Sequence, residues 1–424
     1  MSEWKKCPIG EVVTLRQGFA INAKSKHYMS KEETSLPLLR IADMKNGTKE
    51  VFVKEEIPQR FIAHPEDIIY TRTGNVGLVF RNNYGVMHNN CFSVTPNDAD
   101  ELSRDFLYYA LQNKTFFDTA NALARGAAQP DLPHTSFNSI EFAYPSLFVQ
   151  ERIAYILSRY DSLIENYQKQ IKLLEEAAQR LYKEWFIDLH FPGHENTNIV
   201  DGVPVGWEKK KISDVCTMIG AGSTPSRRNN AYWDDGNIRW VKTKELLDNW
   251  IFDTEEYITE EGLNNSSTKM FPVNTILMAI YASPTLGRLG ILAQECCCNQ
   301  AALGLVANEK LISWVWLYLK LFELRDEFNA VARGAGQQNI SGVVVKNWEI
   351  TVPNKKTIED FAKMAKPYFE NAKSLQSQLR LLTEARDRLL PKLMSGELTL
   401  EARAEKEDLL ATPCKRGWEE DEAK

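Results

Sequence analysis

The sequence lacks most of the features that signal a membrane span, a disulfide framework or chemistry of its own. No run of about 18 apolar residues occurs, so no segment suits a membrane-spanning helix. The opening MSEWKKCPIGEVV has no apolar core of a secretory leader, and none is expected. The 7 cysteines, with Cys296, Cys297 and Cys298 adjacent, suit reduced thiols better than paired ones, which makes the cytoplasm the expected compartment. There is no G-x-x-x-x-G-K-[ST] phosphate loop, and no Asn/Asp-Pro-Pro-aromatic tetrapeptide of the kind that holds a flipped adenine. The six histidines (His27, His64, His88, His134, His190 and His194) are scattered. Successive cysteines on a strand alternate faces and cannot converge on one zinc ion, so a buried strand is expected at 296–298. Neither a catalytic residue nor a metal site is expected.

Positive charge is also scarce. The chain carries 51 Lys+Arg against 57 Asp+Glu, a net charge of −6. Residues 1–145 hold 16 basic and 17 acidic side chains, and residues 207–353 hold 15 and 17, so neither half hides a basic domain. A nucleic-acid footprint, which needs Lys and Arg at phosphates, would have to be local.

What the sequence does have is repetition. ARGAAQPDL (Ala124–Leu132) returns as ARGAGQQNI (Ala332–Ile340), an offset of 332 − 124 = 208 residues. WKKCPIGEV at Trp4 returns as WEKKKISDV at Trp207, an offset of 203, which leaves five net insertions inside the second copy. Between these marks lie β-branched and aromatic runs broken by Gly, Asn and Pro, which predict strands and loops. They are LPLLRIADM, EDIIYTRTG and NNCFSVTP in one copy, and GNIRWVKTKEL, NTILMAIYAS and QAALGLVAN in the other. Each copy continues with an aromatic-rich helical stretch, the ARGA element, a strand ending at proline, and a long helix.

The long helices are the strongest signal. Ile153, Leu157, Tyr160, Ile164, Tyr167, Ile171, Leu174, Ala178, Leu181 and Trp185 alternate by four and three, an unbroken heptad seam. Adding 208 gives Phe361, Ala365, Tyr368, Ala372, Leu375, Leu379, Leu382, Arg386, Leu389 and Leu393, where only Arg386 interrupts. Pro367 should kink this second helix or delay its start. The seam of 185 − 153 = 32 steps spans roughly 48 Å at about 1.5 Å each.

The expected fold is α+β: two globular α/β heads alternating with two long helices that pair as an antiparallel coiled coil. It is an internal tandem repeat with pseudo-two-fold symmetry. The first head covers 1–145, the first helix 146–191, a linker 192–206, the second head 207–353 and the second helix 354–398. A charged tail, 399–424, is expected to be disordered or a frayed helix. Each helix could instead pack on its own head or pair with another chain.

Two similar heads on a fixed bar suit a divided DNA site, whose halves lie about 34–36 Å apart, though a protein dimer would suit the same geometry. The loops favour DNA. YTRTGNVG offers Arg72, Thr73 and Asn75, and the matching YASPTLGRLG offers Arg288. GAGSTPSRRNN offers Ser223, Thr224, Arg227 and Arg228. WVKTKE adds Lys242 and Lys244 where the first copy has Arg40 and Lys45. The repeated element adds Arg125 and Gln129, and Arg333 and Gln337. Arg and Lys suit guanine edges and phosphates, Asn and Gln suit adenine, and Ser and Thr serve either. Each loop also reads as ordinary solvated surface, and the ARGA element as a helix cap that braces its head.

The helix ends LYKEWFIDLHFP (Leu181–Pro192) and LLPKLMSGEL (Leu389–Leu398), the two ARGxxQ elements and the duplicated plan resemble the specificity subunit of type I restriction–modification enzymes. The resemblance covers about residues 4–400. It implies that each head is a target-recognition domain for one half of an asymmetric, gapped sequence in double-stranded DNA. The helices would then be the more constant regions that set the gap and dock partners. Those partners would be two modification subunits, which use S-adenosylmethionine to methylate adenine, and restriction/translocase subunits using ATP and Mg. No cofactor is expected on this chain. Recognition domains vary widely in the family, so it supplies no base-reading residues. The heads also differ from each other: Trp233, Trp240 and Trp250 lie in the second, while the first has no tryptophan between Trp4 and Trp185. A protein-binding coiled-coil adaptor with duplicated heads is the alternative.

Overall fold

A computed structural model describes residues 4–126, 128–281, 285–334 and 339–398, with Arg333 and Gly334 described by backbone alone. The charged tail lies outside the described residues. The chain divides into two compact units, residues 1–162 with 383–424, and residues 163–382.

In the first unit, Lys5–Pro8 pairs antiparallel with Glu141–Tyr144, the strand that leads into the first long helix. A four-stranded sheet runs in the order Val13–Gln17, Cys91–Pro96, Ile68–Thr71, Val79–Phe80. Cys91–Pro96 is paired on both sides, which fits the apolar run CFSV in the sequence. A second sheet is built from strands of two to four residues, including Leu36–Leu39 and Gly85–Met87. Helix Arg104–Gln112 starts at Ser103, whose hydroxyl accepts from Phe106 N. Tyr70, Phe92, Phe116 and Phe137 stack edge-on or offset at the centre, with Phe92 and Phe137 centroids 5.0 Å apart. Ile153 and Leu157 of the first long helix share this core with Leu393 and Met394 of the second.

The second unit repeats the plan. Glu208–Lys211 pairs with Glu349–Val352, and a five-stranded sheet runs Cys216–Ala221, Ala302–Ala307, Ile276–Ala279, Leu289–Leu292, Asn249–Ile251. Cys297–Cys298 is a buried strand beside Ile238–Val241, as the cysteine run predicts. A short hairpin of Ile199–Val200 and Val203–Pro204 carries the linker.

The long helices are Leu147–Phe186 and Lys355–Met394, and both ends keep the 208-residue offset. The first stops short of 191 because Leu189 takes a left-handed conformation (φ 61°); the second stops before Gly396 (φ 72°). Pro367 does not delay the second helix. Asn354 caps its start, its Oδ1 accepting from Thr357 N at 2.9 Å. Phe361, Ala365 and Phe369 then anchor both flanks of the proline in the core, which outweighs one lost backbone bond.

The helices pair antiparallel within each unit. In the second, Glu175 lies opposite Gln376, and Trp185 opposite Phe361 with ring centroids 5.7 Å apart. In the first, Arg386 reaches Asp161 while Leu393 lies in the core of Ile153 and Leu157. Ile153, Leu157, Ile164, Ile171, Ala178 and Trp185 are buried, and the remaining seam positions of the first helix are half-buried.

Candidate nucleic-acid interface

Two loops of the first head meet on a pair of backbone bridges. Arg125 and Asp131 exchange N–H···O bonds of 2.8 Å in both directions, closing the ARGAAQPDL loop on itself. That loop then joins the YTRTGNVG loop: Gly74 N donates to Pro130 O at 2.8 Å and Leu132 N to Arg72 O at 2.9 Å. The second head makes the same join, with Tyr281 bridged to Asn339 as Thr73 is to Asp131. Ile340 N donates to Ile280 O at 2.9 Å. The Thr73–Asp131 and Arg72–Leu132 pairs thus both recur at the offset of 208.

The register corrects one expectation. The counterpart of Arg72 is Ile280, not Arg288. Arg288 accepts from Ala279 N through its carbonyl, as Leu78 accepts from Thr71 N, so it lies at the far end of a longer loop. Its half-buried side chain has no partner among the described residues.

A glycine in each head lets a third segment approach. An ideal Cβ on Gly18 would lie 2.2 Å from His88 O, and one on Gly222 only 2.0 Å from Cys298 O. Only hydrogen fits there. The contact sets the corner Asn89–Asn90 beside the bridged loops, where Asn90 O accepts from Arg72 N at 2.8 Å and from Thr73 N at 3.2 Å. In the second head the corner is Gln300–Ala301, where Ala301 O accepts from Ile280 N at 2.9 Å.

The candidate side chains fall into two groups. The first is committed to internal partners. Arg40 donates to Asp43 (2.5 and 3.0 Å) and to Glu50 at 2.6 Å, which raises its own pKa and lowers that of Asp43. Arg72 and Thr73 donate to Asp131, whose carboxyl they hold below the usual range. Arg227 pairs with Glu256 and lies 3.5 Å from the Trp233 ring centroid. Lys242 lies 2.7 Å from Glu256 and 3.0 Å from Glu255, and Lys244 is 2.5 Å from Glu255. Ser223 accepts from Ser267 at 2.8 Å, and Thr224 donates to Gln300 at 2.5 Å. The second group is exposed, with no side-chain partner among the described residues: Lys45, Asn75, Arg125, Gln129 and Arg228. The side chain of Arg333, and all of Gln337, lie outside the described residues.

Sequence reasoning missed Asp43, Glu50, Asp131, Glu255 and Glu256, the five carboxylates that engage these cations. It also missed the corners Asn89–Asn90 and Gln300–Ala301. The exchange of Asp131 for Asn339 was visible in the repeated element and gains meaning only beside the exchange of Arg72 for Ile280. Burial lowers the pKa of His88 and His134, with Arg40 and Arg72 adding to the effect, so both rings favour the neutral form. Among the described residues, no group of three or more His, Cys, Asp or Glu could hold a metal ion.

A family model described as the type I restriction modification DNA specificity domain matches residues 1–176 and again residues 204–380. The chain is 28% identical to the type I restriction enzyme MjaIX specificity subunit of Methanocaldococcus jannaschii, covering 73% of this chain and 72% of that one. It is 23% identical to the HindI specificity subunit of Haemophilus influenzae, covering 94% and 100%. Among solved structures, the S subunit of a type I restriction–modification system from M. genitalium superposes with a TM-score of 0.62 at 17% identity. That match covers 92% of this chain and 96% of the other, so the fold is shared across nearly the whole length.

Proposed function

The chain belongs to the family of type I restriction–modification DNA specificity subunits, and on that premise we propose that each head reads its part of the target through its bridged loop pair. The chain recognises an asymmetric, divided DNA site and serves as a scaffold for the modification and restriction subunits of its system. The observation that carries the loop assignment is the repeated bridge, Thr73–Asp131 in one head and Tyr281–Asn339 in the other, with different side chains on the same backbone. Equal frameworks with unequal side chains suit unequal half-sites. Asn75, Arg125 and Gln129 are the contacts assigned to the first head, with Lys45 at phosphate. Arg228 and Arg288 are those of the second.

Two modification subunits would dock on the paired helices. The chain itself would carry no catalytic group: methyl transfer from S-adenosylmethionine, and ATP- and Mg-dependent translocation and cleavage, fall to the partners. No helix among the described residues is long and apolar enough to cross a membrane, and we assign the chain to the cytoplasm, where its DNA would be.

The test is to co-express the chain with its methyltransferase and map methylated adenines across a genome. One gapped, asymmetric motif is expected. Replacing residues 207–353 with the head of another family member should change one half of the motif; a change in both halves would sink the two-head reading. DNA binding by the complex should also fall steeply with salt as counterions are released. A protein-binding adaptor would give neither result.

A further inference from the structure

In the first head one carboxylate ties two loops together. Asp131 Oδ1 accepts from Thr73 Oγ1 at 2.6 Å and from Arg72 Nε at 3.2 Å, and Oδ2 accepts from Arg72 Nη2 at 2.7 Å. The remaining guanidinium nitrogen, Nη1, donates to Gln17 Oε1 at 3.2 Å. All three nitrogens of Arg72 are therefore engaged within the head, and its side chain is 21% exposed.

The second head holds the same backbone join without these charges. Ile280 replaces Arg72 and is 2% exposed in the core, while Asn339 replaces Asp131. Both members of the pair change together, from cation and anion to two neutral residues. That is the pattern of an ion pair that is kept or lost as a unit, because losing either member leaves the other, 21% exposed for Arg72 and 39% for Asp131, without its compensating charge. A base-reading arginine, by contrast, would have to hand its guanidinium to DNA and leave Asp131 unpaired next to phosphates.

We propose that Arg72 and Asp131 are positioning residues: together they latch the 124–132 loop against the 72–77 loop and so aim Asn75, Arg125 and Gln129 at the DNA. Neither reads a base. The second head latches the same two segments with neutral residues. The inference rests on the DNA-specificity reading given above.

The test uses the full chain assembled with its methyltransferase and carrying Arg72→Ile, Asp131→Asn, or both, the double variant being the pair found in the second head. Arg72→Ile alone should weaken cognate DNA binding on the order of tenfold to a hundredfold, the size of a lost specific contact. Asp131→Asn alone should free a cation, raise non-specific binding, and relax the first half of the methylated motif only. The double variant should return affinity to within about threefold of the parent and restore that half. Thr73→Val, which deletes one hydrogen bond to the latch, should raise the KM for DNA about threefold with kcat unchanged. A double variant that melts like the parent but binds no better than Arg72→Ile overturns the latch and makes Arg72 a reader. A parent complex that methylates no defined sequence overturns the underlying reading, and the latch with it.

Discussion

Arg386 donates from Nη1 to Asp161 Oδ1 at 3.0 Å, so the one polar residue in the second heptad seam meets a carboxylate of the first long helix. Asp161 is 16% exposed and also accepts from Tyr109 Oη at 2.7 Å, with Arg81 Nη2 3.5 Å away. The interruption is thus half of a satisfied polar cluster where both helices meet the first head. Restoring the heptad with Arg386→Leu removes a main partner of a mostly buried carboxylate and should destabilise the first unit by about 1–3 kcal/mol. Pairing it with Asp161→Leu should recover much of that loss, since hydrophobic replacement of a whole ion pair is often neutral. Urea unfolding of the two singles and the double closes the cycle, and purely additive effects would refute the coupling.

Gly18 and Gly222 predict a matched pair of failures. Each would set a methyl group about 2 Å from a carbonyl oxygen of the crossing segment, and backbone cannot move aside as a side chain can. Gly18→Ala and Gly222→Ala should each cost about 1–3 kcal/mol or more by overpacking. Loss of recognition should fall on the half of the motif read by the altered head. Methylation mapping checks this: a glycine variant that spoils the opposite half, or neither, would contradict the assigned framework.

The parts legible in the sequence were those governed by local periodicity. The two 40-residue helices come from heptads, their pairing direction from the intervening head, and the sheet strands from runs such as NNCFSVTP and QAALGLVAN. The backbone bridges of the two heads are related by the same 208-residue offset, though nothing in the sequence announced them. Of the small sheet of the first head, only Leu36–Leu39 was legible, in LPLLRIADM; strands such as Met29–Ser30 and Phe52–Val53 are two residues long and carry no period. The site was half legible. Cation positions are visible in a sequence, but apart from the local Arg40–Asp43 pair the carboxylates that claim them are set by tertiary approach, 59 residues away for Arg72 and 29 for Arg227. The cations and amides named as contacts look alike in the sequence until those partners separate them.

The second unit should lose stability as pH rises towards neutrality. Glu175 lies in a cleft beside Asp248, Trp250, Tyr318 and Phe369, where burial, helped by Asp248, lifts its carboxyl to about 7. The folded state then keeps its proton where the unfolded chain, with a pKa near 4.5, has released it. Stability therefore falls between about pH 4.5 and 7 and is flat above. Glu175→Gln removes that loss and should gain about 1–2 kcal/mol at pH 8, discounted for the part of the carboxyl open to solvent. Little change is expected at pH 4.5. Thermal unfolding of both proteins across this range decides it; parallel pH profiles would mean that Glu175 ionises normally.

Exposed and engaged cations should respond differently to removal. The Arg125 side chain has no partner among the described residues, whereas Lys242 is held by Glu255 and Glu256. Arg125→Ala should therefore leave the melting temperature within about 1–2 °C, since a surface change away from other contacts is nearly neutral. It should weaken DNA binding, and if Arg125 meets phosphate the salt slope should drop by about one. If it reads a base, the slope should hold while the first half of the motif relaxes. Lys242→Ala leaves Glu255 and Glu256 beside each other with less compensation, so it should lower DNA affinity through repulsion as well as lost charge. The added variant Glu255→Gln should then restore part of the binding. Recovery in that pair, with none when Glu255→Gln is added to Arg125→Ala, would separate a cation that neutralises its own head from one offered to DNA. Equal recovery in both would mean that the acidic pair acts at long range on either head, and that an internal partner does not mark a cation as unavailable.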